Sequence, residues 1–503
     1  MNHATARLPW WAPAAAAALL GAGCATFDVA RRDIAPRPEH DRPCETWFAA
    51  LDAVVDAAGV RDAEATRLPG FPQLRVDRFL ASFREAALSE AGLAAWLARM
   101  RELDRAARAA EFANLPGAAG ASLQGVADGM GPDHADACGR QLAASDLASP
   151  QRIAALREIA QVPDDYATWQ RVLGLYPLAR LPFSAGIRSA QDEALAAFRA
   201  ARAGDSAALQ PLPVQSYVPA QPTIARDAAA AILRGASRDA LGVPRFSADE
   251  RARLLSAHAP VLEIETAGDH DRPGHPLLDA QGRPSVDTSR PVLFGRLAWT
   301  RYADQTLVQL VYTGWFPERP KQGPVDLLAG ALDGIVWRTT LAPDGEPLVY
   351  DAIHPCGCFH MFLPTPRAEP RAAPDPDDEW AFVPATLAAV PTDARIRIRI
   401  AARTHYVVDV AAVSGTASAA HYAIVEEDAL RALPLPGGGA RSLYGPDGLV
   451  PGSGRLERFL FWPMGVPSAG AMRQWGRHAT AFLGRRHFDD ADLIERRFRL
   501  DLR

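Results

Sequence analysis

Seven consecutive residues, His354-Pro355-Cys356-Gly357-Cys358-Phe359-His360, carry four reactive side chains at every second position. Thiolate and neutral imidazole are the preferred ligands of zinc, and thiolate also suits Cu(I). On a straight strand the four would share one face, spread over roughly 20 Å at about 3.3 Å per residue. Metal bonds are only about 2.0–2.3 Å long, so a single ion requires the chain to fold back. Pro355 and Gly357 allow that. With His405 and His421 on neighbouring expected strands, the candidate ligands for zinc or copper are His354, Cys356, Cys358, His360, His405 and His421. Asp351 is the candidate carboxylate behind a ligand histidine.

Two other chemistries compete for the same thiols. Setting Cys24 aside, the remaining cysteines are Cys44, Cys138, Cys356 and Cys358. An even count suits structural disulfides, with three possible connectivities. Pairing Cys44 with Cys138 would leave Cys356 and Cys358 to each other. A bond between those two would be tight and easily reduced, a redox-active pair.

A second cluster lies on the expected strand 395–410. By parity Arg395, Arg397, Arg399, Arg403 and His405 share a face. Such a face must be solvated, paired with acids or used to hold an anion. Glu426-Glu427-Asp428 is the expected acidic partner. No G-x-S-x-G, H-E-x-x-H or Walker A lysine occurs, nor a G-x-G-x-x-G at a strand-to-helix turn.

The N-terminus reads as an address. Arg7 precedes an apolar run from Leu8 to Leu20, then Gly21-Ala22-Gly23-Cys24. A spanning helix wants about 20 apolar residues, and this run is a signal-type length. The segment resembles the lipobox of bacterial lipoproteins, with Gly21 where that family usually has Leu, and Leu20 one place earlier. The resemblance covers residues 1–24. It implies cleavage before Cys24, acylation of that cysteine, and anchoring to a bilayer. Ala25 in place of Asp implies the outer membrane, facing the periplasm. Two or three acyl chains hold a protein stably where one does so only marginally.

These residues must be positioned by a chain of 503 residues, too long for one ordinary core. Hydrophobic residues are 48% and charged residues 22%, a globular composition. Net charge of −5 does not indicate nucleic acid as a partner. Leu93, Trp96, Leu97, Met100 and Leu103 form a helical stripe. Ser149-Pro150 opens another helix. Asp164-Asp165 opens one expected to stop near Pro177, and Ala190–Ala203 is expected to be helical again. Val292–Tyr302, Thr306–Phe316 and the hairpin Ile335–Leu341/Leu348–Ile353 read as strands. Ala469–Phe498 reads as helical.

The expected fold class is α+β: a helical N-terminal domain followed by a mostly antiparallel β-rich domain with C-terminal helices. The expected divisions are a signal peptide (1–23), a lipidated tether (24–44), a helical domain (45–210), a linker and short helix (211–258) and a β-rich domain (259–503). The first functional expectation is a membrane-anchored envelope lipoprotein with a Cys/His metal site. The alternatives are a non-enzymatic lipoprotein stapled by disulfides that binds a protein or glycan, and a thiol-redox protein using Cys356 and Cys358.

Overall fold

Helix signals are strongest in the N-terminal part of the chain, and the fold follows them. A computed structural model describes residues 34–117, 131–203, 212–221, 224–374, 378–415 and 419–503. Cys24 and the signal-like segment lie outside the described residues. The helical part comprises α1 (Arg42–Ala58), a hairpin of β1 (Thr66–Leu68) and β2 (Phe71–Val76), α2 (Glu90–Asn114), α3 (Pro132–Leu147), α4 (Pro150–Ile159), α5 (Thr168–Leu173) and α6 (Tyr176–Ala203).

Ser89 caps α2 by accepting from the Gly92 N–H. The Trp96, Leu97 and Met100 stripe is buried, with Leu93 and Leu103 packed at its edge. Farther along, α2 buries charge instead. Asp104, Arg108 and Glu111 meet Arg75 of β2, whose Nη2 lies 2.8 Å from Glu111 Oε1. Buried charges persist because each is paired. Ser149 caps α4, with Pro150 in its first turn. The helix expected to end near Pro177 is two helices. Leu175 takes a left-handed φ of 50° between them. Pro177 falls in the first turn of α6, where its missing N–H costs nothing. Cys44 of α1 and Cys138 of α3 are joined as a disulfide.

The stretch expected to be a linker carries a strand, β3 (Val214–Pro219). Helices α7 (Arg226–Gly235) and α8 (Ala248–His258) follow, the latter opened by a Ser247/Glu250 capping box. The later strands are β4 (Val261–Glu265), β5 (His275–Leu278), β6 (Pro284–Asp287), β7 (Val292–Tyr302), β8 (Gln305–Arg319), β9 (Gly330–Leu341), β10 (Pro347–Ile353), β11 (Met361–Pro364), β12 (Ala368–Pro370), β13 (Arg395–Ile400), β14 (Val407–Val413) and β15 (Ala420–Glu426). Ten of them form one sheet in the order β11-β10-β9-β8-β7-β15-β3-β4-β13-β14. Pairing is antiparallel except where β15 meets β3 and β7, and where β4 meets β13. β10 is buried along its whole length, as expected of a strand covered on both faces.

The span 395–410 is not one strand. It breaks at residues 401–406, and β13 and β14 form a hairpin. Ala469–Phe498 is not helical either, apart from one short turn at Leu493–Arg497. Gly470, Gly476 and Gly484 have φ of 84°, 82° and 82°, and each interrupts the helical period. Arginines hold this irregular segment: Arg486 donates to the carbonyls of Glu379, Trp380 and Thr480. Across the seam between the helical part and the sheet, Glu64 pairs with Arg296 at 2.7 Å, and Arg431 pairs with Asp62 at 2.9 Å. Among the described residues no helix is long and apolar enough to cross a membrane.

The disulfide closes a separation of 94 residues. Constraining so long a loop in the unfolded chain stabilises the fold by about 2–5 kcal/mol. Cys44→Ala/Cys138→Ala is therefore expected to lower the urea midpoint with little change in slope. An unchanged midpoint would show that the bond contributes nothing to stability.

Candidate functional site

The thiols sit in a turn at the open end of the β9–β10 hairpin. β10 ends at Ile353, and the His354 N–H donates to the Cys358 carbonyl at 3.0 Å. The Gly357 N–H donates to the His354 carbonyl at 2.8 Å, so the backbone folds back over Pro355–Gly357. Gly357 has φ of 94°, and a Cβ there would lie 2.3 Å from the Ala479 carbonyl oxygen. Both the conformation and the contact demand glycine.

The turn brings the two sulfurs together. Cys356 and Cys358 hydrogen-bond each other, and that bond holds the Cys356 thiol below its usual pKa; burial opposes the shift and Arg455 assists it. The same bond, followed by burial and the charge on Cys356, pushes Cys358 well above the thiol range. The pair thus ionises as a unit with one proton between the sulfurs. Cys356 is buried and Cys358 is half-buried. Arg473 pins the turn from outside, its N–H donating to Pro355 O at 2.9 Å and its Nε to Cys356 O at 3.3 Å. Glu457, buried in the same charged region, is pushed up to about 7 by burial, against the pull of Arg455 and Arg319.

The imidazoles go elsewhere. His354 Nδ1 lies 3.1 Å from Asp333 Oδ1, and His405 Nδ1 lies 2.9 Å from Asp333 Oδ2. His405 Nε2 is 3.3 Å from Asp271 Oδ1, and its ring stacks on Phe316 at 4.1 Å. Arg455 Nη2 is 3.3 Å from Asp333 Oδ1. His360 turns to the other side, with Nε2 3.0 Å from Asp351 Oδ2; Asp351 also accepts from Arg338 Nε at 2.9 Å. His421 is exposed on β15. The six expected ligands therefore divide into a thiol pair, two separate histidine–aspartate groups and a surface histidine. Among the described residues no group of three or more His, Cys, Asp or Glu is placed to hold a metal ion. Asp351 lies against His360, and Arg338 is its main charge partner.

Burial works against the charge of Asp333, yet His354, His405 and Arg455 hold it well below the carboxylate range. Burial also opposes charge on His405, and Asp271 and Asp333 nevertheless raise its pKa. For His354 burial prevails over Asp333 and the pKa falls. His354 also lines an apolar cavity of about 340 Å³ between α6 and the sheet, with Phe359, Met361, Tyr406 and Val407. Tyr406 and Phe359 rings are 4.1 Å apart.

The arginine face is a paired one. Arg397 meets Glu263 at 3.0 Å and also Asp409; Arg399 meets Glu265 at 3.1 Å; Arg395 donates to the Ser256 and Ala259 carbonyls. Arg403 and His405 leave that face because the chain turns, with φ of 65° and 55°. The expected acidic partner is engaged elsewhere: Glu427 with Arg296, Asp428 with Arg431. Sequence reasoning passed over Asp271, Arg455, Glu457 and Arg473, which lie far along the chain from the thiols.

Comparison with known protein families, curated proteins and solved structures finds no match.

Two outcomes follow for this site. Asp333→Asn leaves two imidazoles and Arg455 around a neutral amide, and removing one partner of a buried charge pair costs about 3–5 kcal/mol. A loss under about 1 kcal/mol in denaturant titration would show that the cluster is not held by charge. The second outcome concerns pH. Burial pushes His258, His360 and His478 down to about 3. In the unfolded chain each binds a proton near pH 6.5, so the unfolded state gains protons first and stability falls as pH drops from about 6.5. Each contributes up to about 1.4 kcal/mol per pH unit. His405, raised, works in the opposite sense and loses its contribution as pH rises through its folded value. His354 is lowered as well, so four histidines stand against one, and the melting temperature is expected to fall from pH 6.5 to pH 4.5, less steeply in His258→Leu. A flat profile in both would contradict neutral buried histidines.

Proposed function

We propose that this is a lipid-anchored protein of the bacterial cell envelope that exchanges disulfides through Cys356 and Cys358. The observation that carries the redox reading is the placement of two free thiols one residue apart in a turn that only glycine permits, with Cys358 within reach of solvent. Among the described residues Cys44 and Cys138 are joined to each other, which leaves Cys356 and Cys358 as the free thiols. The anchoring part rests on the lipobox-like residues 1–24, with acylated Cys24 in the outer membrane and the body facing the periplasm.

The Cys358 sulfur gives its proton to the Cys356 thiolate as it attacks one sulfur of a partner disulfide. The partner's other sulfur leaves as a thiolate and takes up the proton. Cys356, again a thiolate, then attacks the mixed disulfide at Cys358 and releases the second partner sulfur as a thiolate, which takes its proton from solvent. The net change is one partner disulfide reduced and one Cys356–Cys358 bond formed. A single residue separates the two cysteines, so that bond closes a tight ring and is readily passed back. Arg455 and Arg473 stabilise the anion, and the apolar cavity beside Phe359 offers a seat for an apolar partner segment.

The test uses the Cys24→Ser chain. Both thiols are expected to titrate in the reduced protein, and the internal disulfide to have a midpoint above about −200 mV, more oxidising than structural disulfides. Cys356→Ser should trap a mixed disulfide on Cys358, and Cys358→Ser should not exchange. One equivalent of zinc or copper, lost in Cys356→Ser, would replace this reading with the metal one. Thiols that neither react nor cycle would leave a non-enzymatic protein that binds a protein or glycan.

A further inference from the structure

The surface around α5 and the start of α6 is unlike the rest of the molecule. Trp169 and Leu173 of α5, Leu178 and Leu181 of α6, and Phe459 and Leu460 of the short helix Glu457–Leu460 are 52–69% exposed. They belong to one surface: Trp169 meets Trp462 edge to face at 5.7 Å, and Phe183 meets Phe461 at 5.4 Å. Scattered exposed leucines need no explanation, but a contiguous patch of large apolar side chains does.

The charge pattern indicates what covers it. From Tyr166 to Gln191 the chain has Arg171, Arg180 and Arg188 and no acidic residue; Arg171 is held by the Met464 and Gly484 carbonyls and Arg180 faces Asp378 at 3.7 Å, so Arg188, with Arg458, supplies the exposed cations of this face. Arg458 adjoins Phe459, 4.8 Å from its ring centroid. The neighbouring acid Glu457 is turned inward and buried. Leucines and tryptophan ringed by arginine are the chemistry of the membrane interface, where apolar side chains enter the acyl boundary and cations meet anionic headgroups. A bilayer is also within reach. Between Cys24 and Ile34, the first described residue, lie nine residues, which span at most about 30 Å when extended.

We infer that this face is an interfacial membrane-binding surface that lays the body onto an anionic bilayer, with Trp169, Leu173, Leu178 and Phe459 entering the headgroup region. The inference takes only the supply of a bilayer from the lipid-anchor reading, and its test omits Cys24 so that the two stand or fall separately.

Every contact described above is made among residues 34–503, so the test uses that chain. It is mixed with vesicles of phosphatidylcholine, or of phosphatidylcholine with phosphatidylglycerol, and floated on a density gradient. Binding is expected to both, and more strongly to the anionic vesicles. Leu173→Asp/Leu178→Asp, and separately Phe459→Asp, should lower the bound fraction by about tenfold. Arg188→Glu should remove most of the preference for phosphatidylglycerol. These side chains are exposed, so melting temperatures should match the parent, which distinguishes lost binding from lost folding. The inference is overturned by failure to float with either vesicle, or by flotation unaffected in the variants. It is equally overturned if the patch proves to join two copies, seen as a dimer that Leu173→Asp/Leu178→Asp dissolves while vesicles bind neither form.

Discussion

A buried carboxylate, Asp333 at the start of β9, ties the site together. An ion of this kind costs several kcal/mol to take out of water unless partners replace its hydration. Here the partners come from three separate segments: His354 from the thiol turn, His405 from the β13–β14 turn, and Arg455 from the irregular C-terminal region. Each has few regular hydrogen bonds of its own, so the carboxylate does for them what a sheet ladder does for a strand. The thiol turn gains most. His354 is its first residue, fixed at one end by Asp333 and at the other by the backbone bond to Cys358. Arg455 serves both centres, lying beside Asp333 and lowering the Cys356 thiol.

The same logic explains how a chain with so much irregular backbone stays ordered. A buried carbonyl needs a donor, and loops lack the ladders that supply one. Arginine, with five donors on a planar fork, can satisfy several carbonyls at once. Arg486 caps three, Arg171 bridges Met464 and Gly484, and Arg473 holds the thiol turn. The near absence of lysine has a structural use: an ammonium could not fork across two strands of loop in this way.

What was legible in the sequence was local. The stripe on α2, the Ser149-Pro150 cap and the β9–β10 hairpin through Gly345 all declared themselves by period or by turn chemistry. The α+β order followed from the change of grammar near residue 260. Misread elements share a cause. Residues 395–410 kept a period of two through a reversal that only the left-handed Arg403 and His405 reveal. Residues 211–222 looked like a linker because prolines flank a strand whose pairing partners, β4 and β15, lie far away in sequence. The fold-back at Pro355–Gly357 was legible from its proline and glycine. The direction of each imidazole was not, because Asp333, Asp271 and Asp351 select it through tertiary contacts.

The two pairs of cysteines show how sequence separation sets a thiol's role. Cys44 and Cys138 stand 94 residues apart, buried in the apolar cluster between two packed helices. Joining them removes many unfolded conformations, so the bond is favoured and static. Cys356 and Cys358 are separated by one glycine, so a bond between them restricts almost no chain entropy and must instead fit a tight ring. Little holds that bond closed, while the hydrogen bond and Arg455 stabilise the open, singly ionised pair. The geometry that disqualifies these sulfurs as a staple is what suits them to give and take electrons.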